Sequence, residues 1–173
     1  VSCTDFLPNL KAKVSGTIGI NAAHISGFAW GDWSLTKPGY LTFDFTKWKE
    51  AVDLGDIGRL SRIVIHEFTH IFNADRDSNP KYWTEFQSLA AKQGVFSSYA
   101  GKNNLETLPE VVGYYVARCA KDNPYDTGKF NDYYEWVKTN IFAGREFGPA
   151  PGTKASCNVT QDQIPTPTPD WVK

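Results

Sequence analysis

Between residues 56 and 73 a largely apolar stretch carries His66, Glu67 and His70 within one turn and a half. Leu60, Ile63, Val64, Ile65, Phe68, Ile71 and Phe72 fall at spacings that predict a helix buried over most of its circumference. Asp56 is placed to cap its start and Asn73 to end it. An unpaired polar group inside such a helix costs roughly 2–7 kcal/mol. The fold must therefore supply partners for all three residues. A hydrogen-bonded core histidine accounts for one of them but not for the set. Residues 66–70 read His-Glu-Phe-Thr-His, so the two imidazoles stand one turn apart on nearly the same helix face. That spacing lets both grip one zinc ion. It also leaves Glu67 beside them, free to act on a zinc-bound water. The chain has only 3 histidines, and two of them are here.

The remaining composition limits what surrounds this helix. At 173 residues with 41% hydrophobic side chains, the chain can build one domain with its own core. Its net charge of −1 implies no basic face, which argues against nucleic acid as a partner. No run of eighteen apolar residues is present, so no membrane span is expected. The sequence has no methionine and starts at Val1, which leads to the expectation of a removed signal or pro-segment. Cys3, Cys119 and Cys157 fit no metal spacing. They allow one disulfide and one spare thiol, with the pairing open. Asn158-Val159-Thr160 is a glycosylation sequon. Together these features point to a secreted, extracellular protein, and a monomer is expected.

Along the chain, a helix is expected around Phe6–Lys13 and a strand over Thr17–Ala22. Gly27–Ser34 reads as a strand or loop with aromatic residues Phe28, Trp30 and Trp33. Tyr40–Thr46 alternates cleanly and is the clearest strand, taken as an edge strand of a small sheet. A short helix at Thr46–Val52 precedes the motif helix. Asn79-Pro80 opens another that ends near Gly94, and further helices are expected at 106–121 and 129–142. Thr166-Pro-Thr-Pro-Asp170 lies in a Pro/Thr-rich extended tail. The reading is α+β, with a compact domain over 1–150 and the tail over 151–173. Asp75-Arg-Asp77-Ser-Asn79 imitates the start of a calcium loop. Pro80 stands where glycine is needed and Phe86 where glutamate is needed, so it reads as a helix exit.

Two histidines and a water leave catalytic zinc one protein ligand short. A three-histidine site needs a histidine at position 76 and a glycine at 73, which here are Arg76 and Asn73. His24 lies upstream and reads as an ordinary surface or core histidine. Glu85 follows on the next helix, but position 89 is Leu89 where thermolysin-like enzymes carry aspartate. Glu106 and Glu110 stand at i, i+4 and can present two carboxylates to the motif helix. One of them would bind zinc and the other would orient a histidine through its second ring nitrogen.

Tyr99 precedes Glu106 by seven residues, and Glu110 follows it by four. With the upstream His-Glu-Phe-Thr-His, this pattern resembles the protease domain of the anthrax lethal factor family, which includes the clostridial Pro-Pro endopeptidases. The resemblance spans residues 66–116. It implies a zincin-like fold in which a small N-terminal sheet with an edge strand precedes the active-site helix and C-terminal helices. It further implies His66, His70 and Glu106 as zinc ligands, Glu67 as general base, Tyr99 as oxyanion donor and Glu110 as supporting carboxylate. The chain departs from the family at Thr107-Leu108-Pro109. Proline is tolerated in a first helical turn, so the helix is expected to begin close to Glu106.

The expected activity is zinc-dependent endopeptidase chemistry on a peptide or protein, a gluzincin-type metalloendopeptidase. A peptide could pair with the strand Tyr40–Thr46. Trp30, Trp33 and Tyr40 are read as core under the sheet, with lining of subsites as the alternative. Two rival readings are a zinc-binding, inactive glycan- or protein-contact module and a zinc amidase acting on cell-wall peptides. A structural zinc site needs no general base, so Glu67 argues against the first.

Overall fold

The computed structural model describes residues 4–27, 29–34 and 36–158. Cys3, Phe28 and the Pro/Thr-rich segment, together with Val159 and Thr160 of the sequon, lie outside the described residues. The described chain forms α1 (Phe6–Lys13), β1 (Gly19–Ala23), β2 (Gly31–Trp33), β3 (Tyr40–Asp44), α2 (Phe45–Asp53), α3 (Ile57–Phe72), α4 (Pro80–Gln93), α5 (Asn104–Val116) and α6 (Asn131–Asn140). The class is α+β in one compact domain. Among the described residues, no helix is long and apolar enough to cross a membrane.

The sheet is mixed, in the order β1-β3-β2. β3 runs parallel to β1 and antiparallel to β2, with Phe43 opposite both Ala22 and Gly31. The expectation that Tyr40–Thr46 supplies an edge is therefore corrected. That strand is central, and the free edges belong to β1 and β2. Its sequence does not show this: Leu41 and Phe43 are buried while Tyr40 is exposed, an alternation that covers one face whether a strand is central or at an edge. It also ends earlier than expected. Asp44 turns its carboxylate back to accept the N–H groups of Thr46 and Lys47, which starts α2 at Phe45.

α3 forms where the apolar pattern placed it, with the Asp56 side chain accepting the Arg59 N–H and Asn73 at its end. It lies between the sheet and α5, and Leu41, Phe43, Ile63, Ile71, Leu108 and Val112 belong to one core. Close approach of α3 and α5 depends on Gly113, where an added Cβ would stand 3.0 Å from the Arg62 carbonyl oxygen. A second part of the same core is aromatic. Tyr115 of α5, Tyr133 and Tyr134 of α6, and Tyr125 from the segment between them are fully or almost fully buried, and the Tyr125 hydroxyl donates to the Val111 carbonyl at 3.0 Å.

α5 begins at Asn104, two residues before Glu106, because the Asn103 side chain caps the Glu106 N–H. Pro109 thus falls in the second turn rather than the first. The carbonyl it leaves without an N–H is that of Leu105, a residue at the exposed start of the helix. The helix stops at Val116, short of the expected 121. Asn123 Nδ2 caps the carbonyls of Tyr114 and Ala117, and Cys119 is bonded to Cys157. Residues 151–158 run along the body, where Gly152 donates to the Tyr125 carbonyl and the Thr153 carbonyl accepts from Arg118.

Candidate metal centre

Three ligand atoms, one each from His66, His70 and Glu106, lie within 4.8 Å of one another. Glu106 Oε2 is 3.2 Å from His66 Nε2 and 3.7 Å from His70 Nε2. Zinc bonds of about 2.0–2.1 Å in tetrahedral geometry require ligand atoms about 3.3–3.4 Å apart. The two Glu106 separations bracket that value, and the three residues together could hold a metal ion. Helix geometry brings the groups together: the histidines share one face of α3, and the first turn of α5 sets Glu106 opposite them.

The chemistry of the donor set points the same way. Glu110 is 1% exposed, yet it is ionised. Burial works against the charge, but His66 and Arg62 outweigh it and hold the carboxyl down at about 2. Its Oε1 accepts from Arg62 Nη1 at 2.5 Å and meets His66 Nδ1 at 3.1 Å. A carboxylate demands a donor there, so Nδ1 carries the proton. His66 Nε2 then turns toward a second carboxylate, Glu106. Two acceptors at that range need a proton or a cation between them.

The same crowding sets the charges. Burial opposes a charge on His66, but the hydrogen bonds to Glu106 and Glu110 prevail and raise it to about 9. Burial, reinforced by the neighbouring His66, lowers His70 to about 4, which keeps it neutral and able to donate a lone pair. Glu106 is held below the usual carboxylate range, with the histidines overcoming its burial. Glu67 takes no part in the triad. Burial pushes it up to about 7, against the pull of His66 and with Glu106 and Asp32 adding to the rise. It thus sits where it can exchange a proton near neutrality. Burial, with Glu106 and Glu67 nearby, raises Tyr99 to about 12, so its hydroxyl stays a donor. The Tyr99 ring meets the His66 ring edge-on at 5.7 Å.

A cleft of about 300 Å³ opens beside the triad, with Trp30, Gly31, Ile63, Glu67, Tyr99 and Tyr114 in its wall. Trp33 stacks on His70 with centroids 5.6 Å apart and planes at 6°. Trp30 and Trp33 are partly buried, packing against the core while they border the site, whereas Tyr40 is exposed and does not belong to the core. Glu85 is exposed on α4 and stands outside the triad. His24 is exposed at the surface, 3.2 Å from Asp44 Oδ2. Asp75 ends a 3-10 turn over Asn73–Asp75, and the segment leads into α4 as the exit reading expects.

Three contributors are not named by the sequence reading. Arg62 is one helical turn before His66, so its place on the same face is accessible from spacing alone. Gly31 and Ser97 reach the site only through long-range packing, which leaves no local signal. Comparison with protein-family models, curated proteins and solved structures returned no match.

Proposed function

We propose that this protein is a secreted zinc-dependent endopeptidase of zincin-like architecture, acting on peptide or protein substrates. The observation that carries the reading is the convergence of His66, His70 and Glu106 on one point, with Glu67 buried beside it at the wall of a cleft. The lethal factor-like spacing of Tyr99, Glu106 and Glu110 supports it, and so does the chemistry of the acceptor pair.

In this reading His66, His70 and Glu106 hold zinc, and Glu110 fixes the His66 tautomer. Bound zinc supplies Lewis acidity, which polarises a scissile carbonyl and acidifies a water molecule. Glu67 accepts the proton of the attacking water and passes it to the leaving amine. The Tyr99 hydroxyl donates to the carbonyl oxygen as it gains charge, a contribution worth about 2.7–4 kcal/mol for donors of this kind. The Cys119–Cys157 bond suits an oxidising, extracellular setting.

The test is zinc content together with cleavage of casein and a broad peptide library, comparing wild type with Glu67→Gln. The expected result is one zinc per chain in both proteins and cleavage by wild type alone. The reading fails if zinc-loaded wild type cuts nothing across the library, or if Glu67→Gln cuts equally well.

A further inference from the structure

Tyr99 sits in a connecting segment, between the end of α4 at Gln93 and the start of α5 at Asn104. The regular structure there is a single 3-10 turn, Ala100–Lys102, with Tyr99 at its start, and a donor displaced by 1 Å loses about 100-fold in rate. Something outside the segment must fix it. The hydrogen bonds converge on Ser97. Its Oγ donates to Glu110 Oε2 at 2.9 Å and accepts the Ala100 N–H at 3.1 Å, while its carbonyl accepts the Gly101 N–H at 3.0 Å. The turn closes with the Lys102 N–H on the Tyr99 carbonyl at 3.1 Å. Thr107 Oγ1 donates to the Ala100 carbonyl at 2.9 Å, tying the far side of the turn to α5.

Glu110 divides its oxygens between two tasks. Oε1 takes His66 Nδ1 and Arg62 Nη1, and Oε2 takes Ser97. A single buried carboxylate therefore touches both a candidate ligand and the base of the turn that presents Tyr99. We propose that Ser97 is a positioning residue that locks the Tyr99 turn to Glu110, so that the oxyanion donor and His66 are held in register by the same carboxylate. This rests on the endopeptidase reading. Ser97 touches no reacting atom, and its effect passes through Tyr99.

The test combines Ser97→Ala, Ser97→Thr and Tyr99→Phe with the double variant Ser97→Ala/Tyr99→Phe. Ser97→Ala is expected to lower kcat about 10-fold to 100-fold. KM and zinc affinity should stay within about threefold, because no ligand or substrate contact is lost. Ser97→Thr keeps the hydroxyl and restores kcat. In the Tyr99→Phe background, Ser97→Ala costs nothing further. Hydrogen exchange gives a readout independent of activity: the Gly101 and Lys102 amides exchange faster in Ser97→Ala and at the wild-type rate in Ser97→Thr. The proposal is overturned if Ser97→Ala costs the same in both backgrounds, if it weakens zinc binding as much as Glu110→Gln does, or if exchange of the two amides is unchanged. Inactivity of wild type on every substrate would sink the endopeptidase reading instead, and the exchange data would still decide whether Ser97 anchors the turn.

Discussion

Gly31 on β2 lies directly against the Glu67 side chain: a Cβ built on Gly31 would stand 2.6 Å from Glu67 Oε1 and 2.7 Å from its Cγ. Contact at that range is repulsive, and Glu67 is only 6% exposed, so it has little room to retreat. Gly31→Ala should therefore push the carboxylate off its place beside the triad while leaving His66, His70 and Glu106 untouched. Hydrolysis is expected to fall about 10-fold to 100-fold. Zinc affinity, measured by competition with a chelator, should change by less than about threefold. Loss of zinc in Gly31→Ala would show that β2 supports the ligands rather than Glu67.

In the proposed reading Glu110 would act on the metal through His66, whose Nδ1 it meets at 3.1 Å, without joining the triad. Glu110→Gln keeps the size of the side chain but removes the charge that directs the His66 Nδ1 proton. It should weaken zinc binding about 10-fold to 100-fold, the usual effect of removing such a support. Glu106→Ala removes a ligand and should bind zinc more weakly still, whereas Glu85→Ala should bind as wild type does. Zinc retained by Glu106→Ala and lost by Glu85→Ala would move the site to α4.

Asp44 ties stability to pH. Its buried carboxylate accepts the N–H groups of Ile25, Thr46 and Lys47 and the Thr46 hydroxyl. Burial alone would raise its pKa, but these hydrogen bonds prevail and hold it well below the ordinary 3.8. A group depressed on folding stabilises the fold above its unfolded pKa and ceases to do so as pH falls through its folded pKa. Asp44→Ala should cost about 0.5–2 kcal/mol at pH 7 as a lost helix cap. The gap between wild type and Asp44→Ala, read from urea unfolding, should hold from pH 7 to pH 5 and narrow steadily below about pH 4. A gap independent of pH down to 2 would show that the charge contributes nothing.

What was legible in the sequence is what local patterning encodes. The apolar stripe of α3, its Asp56 cap and the Asn79-Pro80 start of α4 all depend on neighbours within a few residues, and they formed as expected. Sheet order is not encoded locally. Tyr40–Asp44 alternates like a half-covered edge strand, and only its burial between β1 and β2 makes it central. The end of α5 is likewise not encoded locally, because Asn123 and the Cys119–Cys157 bond act on it from outside the helix. In the site, the histidine pair and the Glu106/Glu110 pair follow helical spacing. Gly31 approaches Glu67 across the fold, so no window of sequence around either residue reveals the contact.

The Cys119–Cys157 bond closes a separation of 38 residues that includes α6 and the segment running back along the body. A loop of this length contributes about 4 kcal/mol in the chain-entropy account, and measured values usually fall at about 2–4. Both cysteines lie away from the triad, and Cys119 follows the end of α5 rather than its first turns. The double variant Cys119→Ser/Cys157→Ser should therefore unfold at lower urea by an amount equal to about 2–4 kcal/mol. Its zinc affinity and its activity per folded molecule should match wild type. If zinc affinity falls while stability holds, the bridge would be acting on the ligands through α5 and not on the unfolded chain.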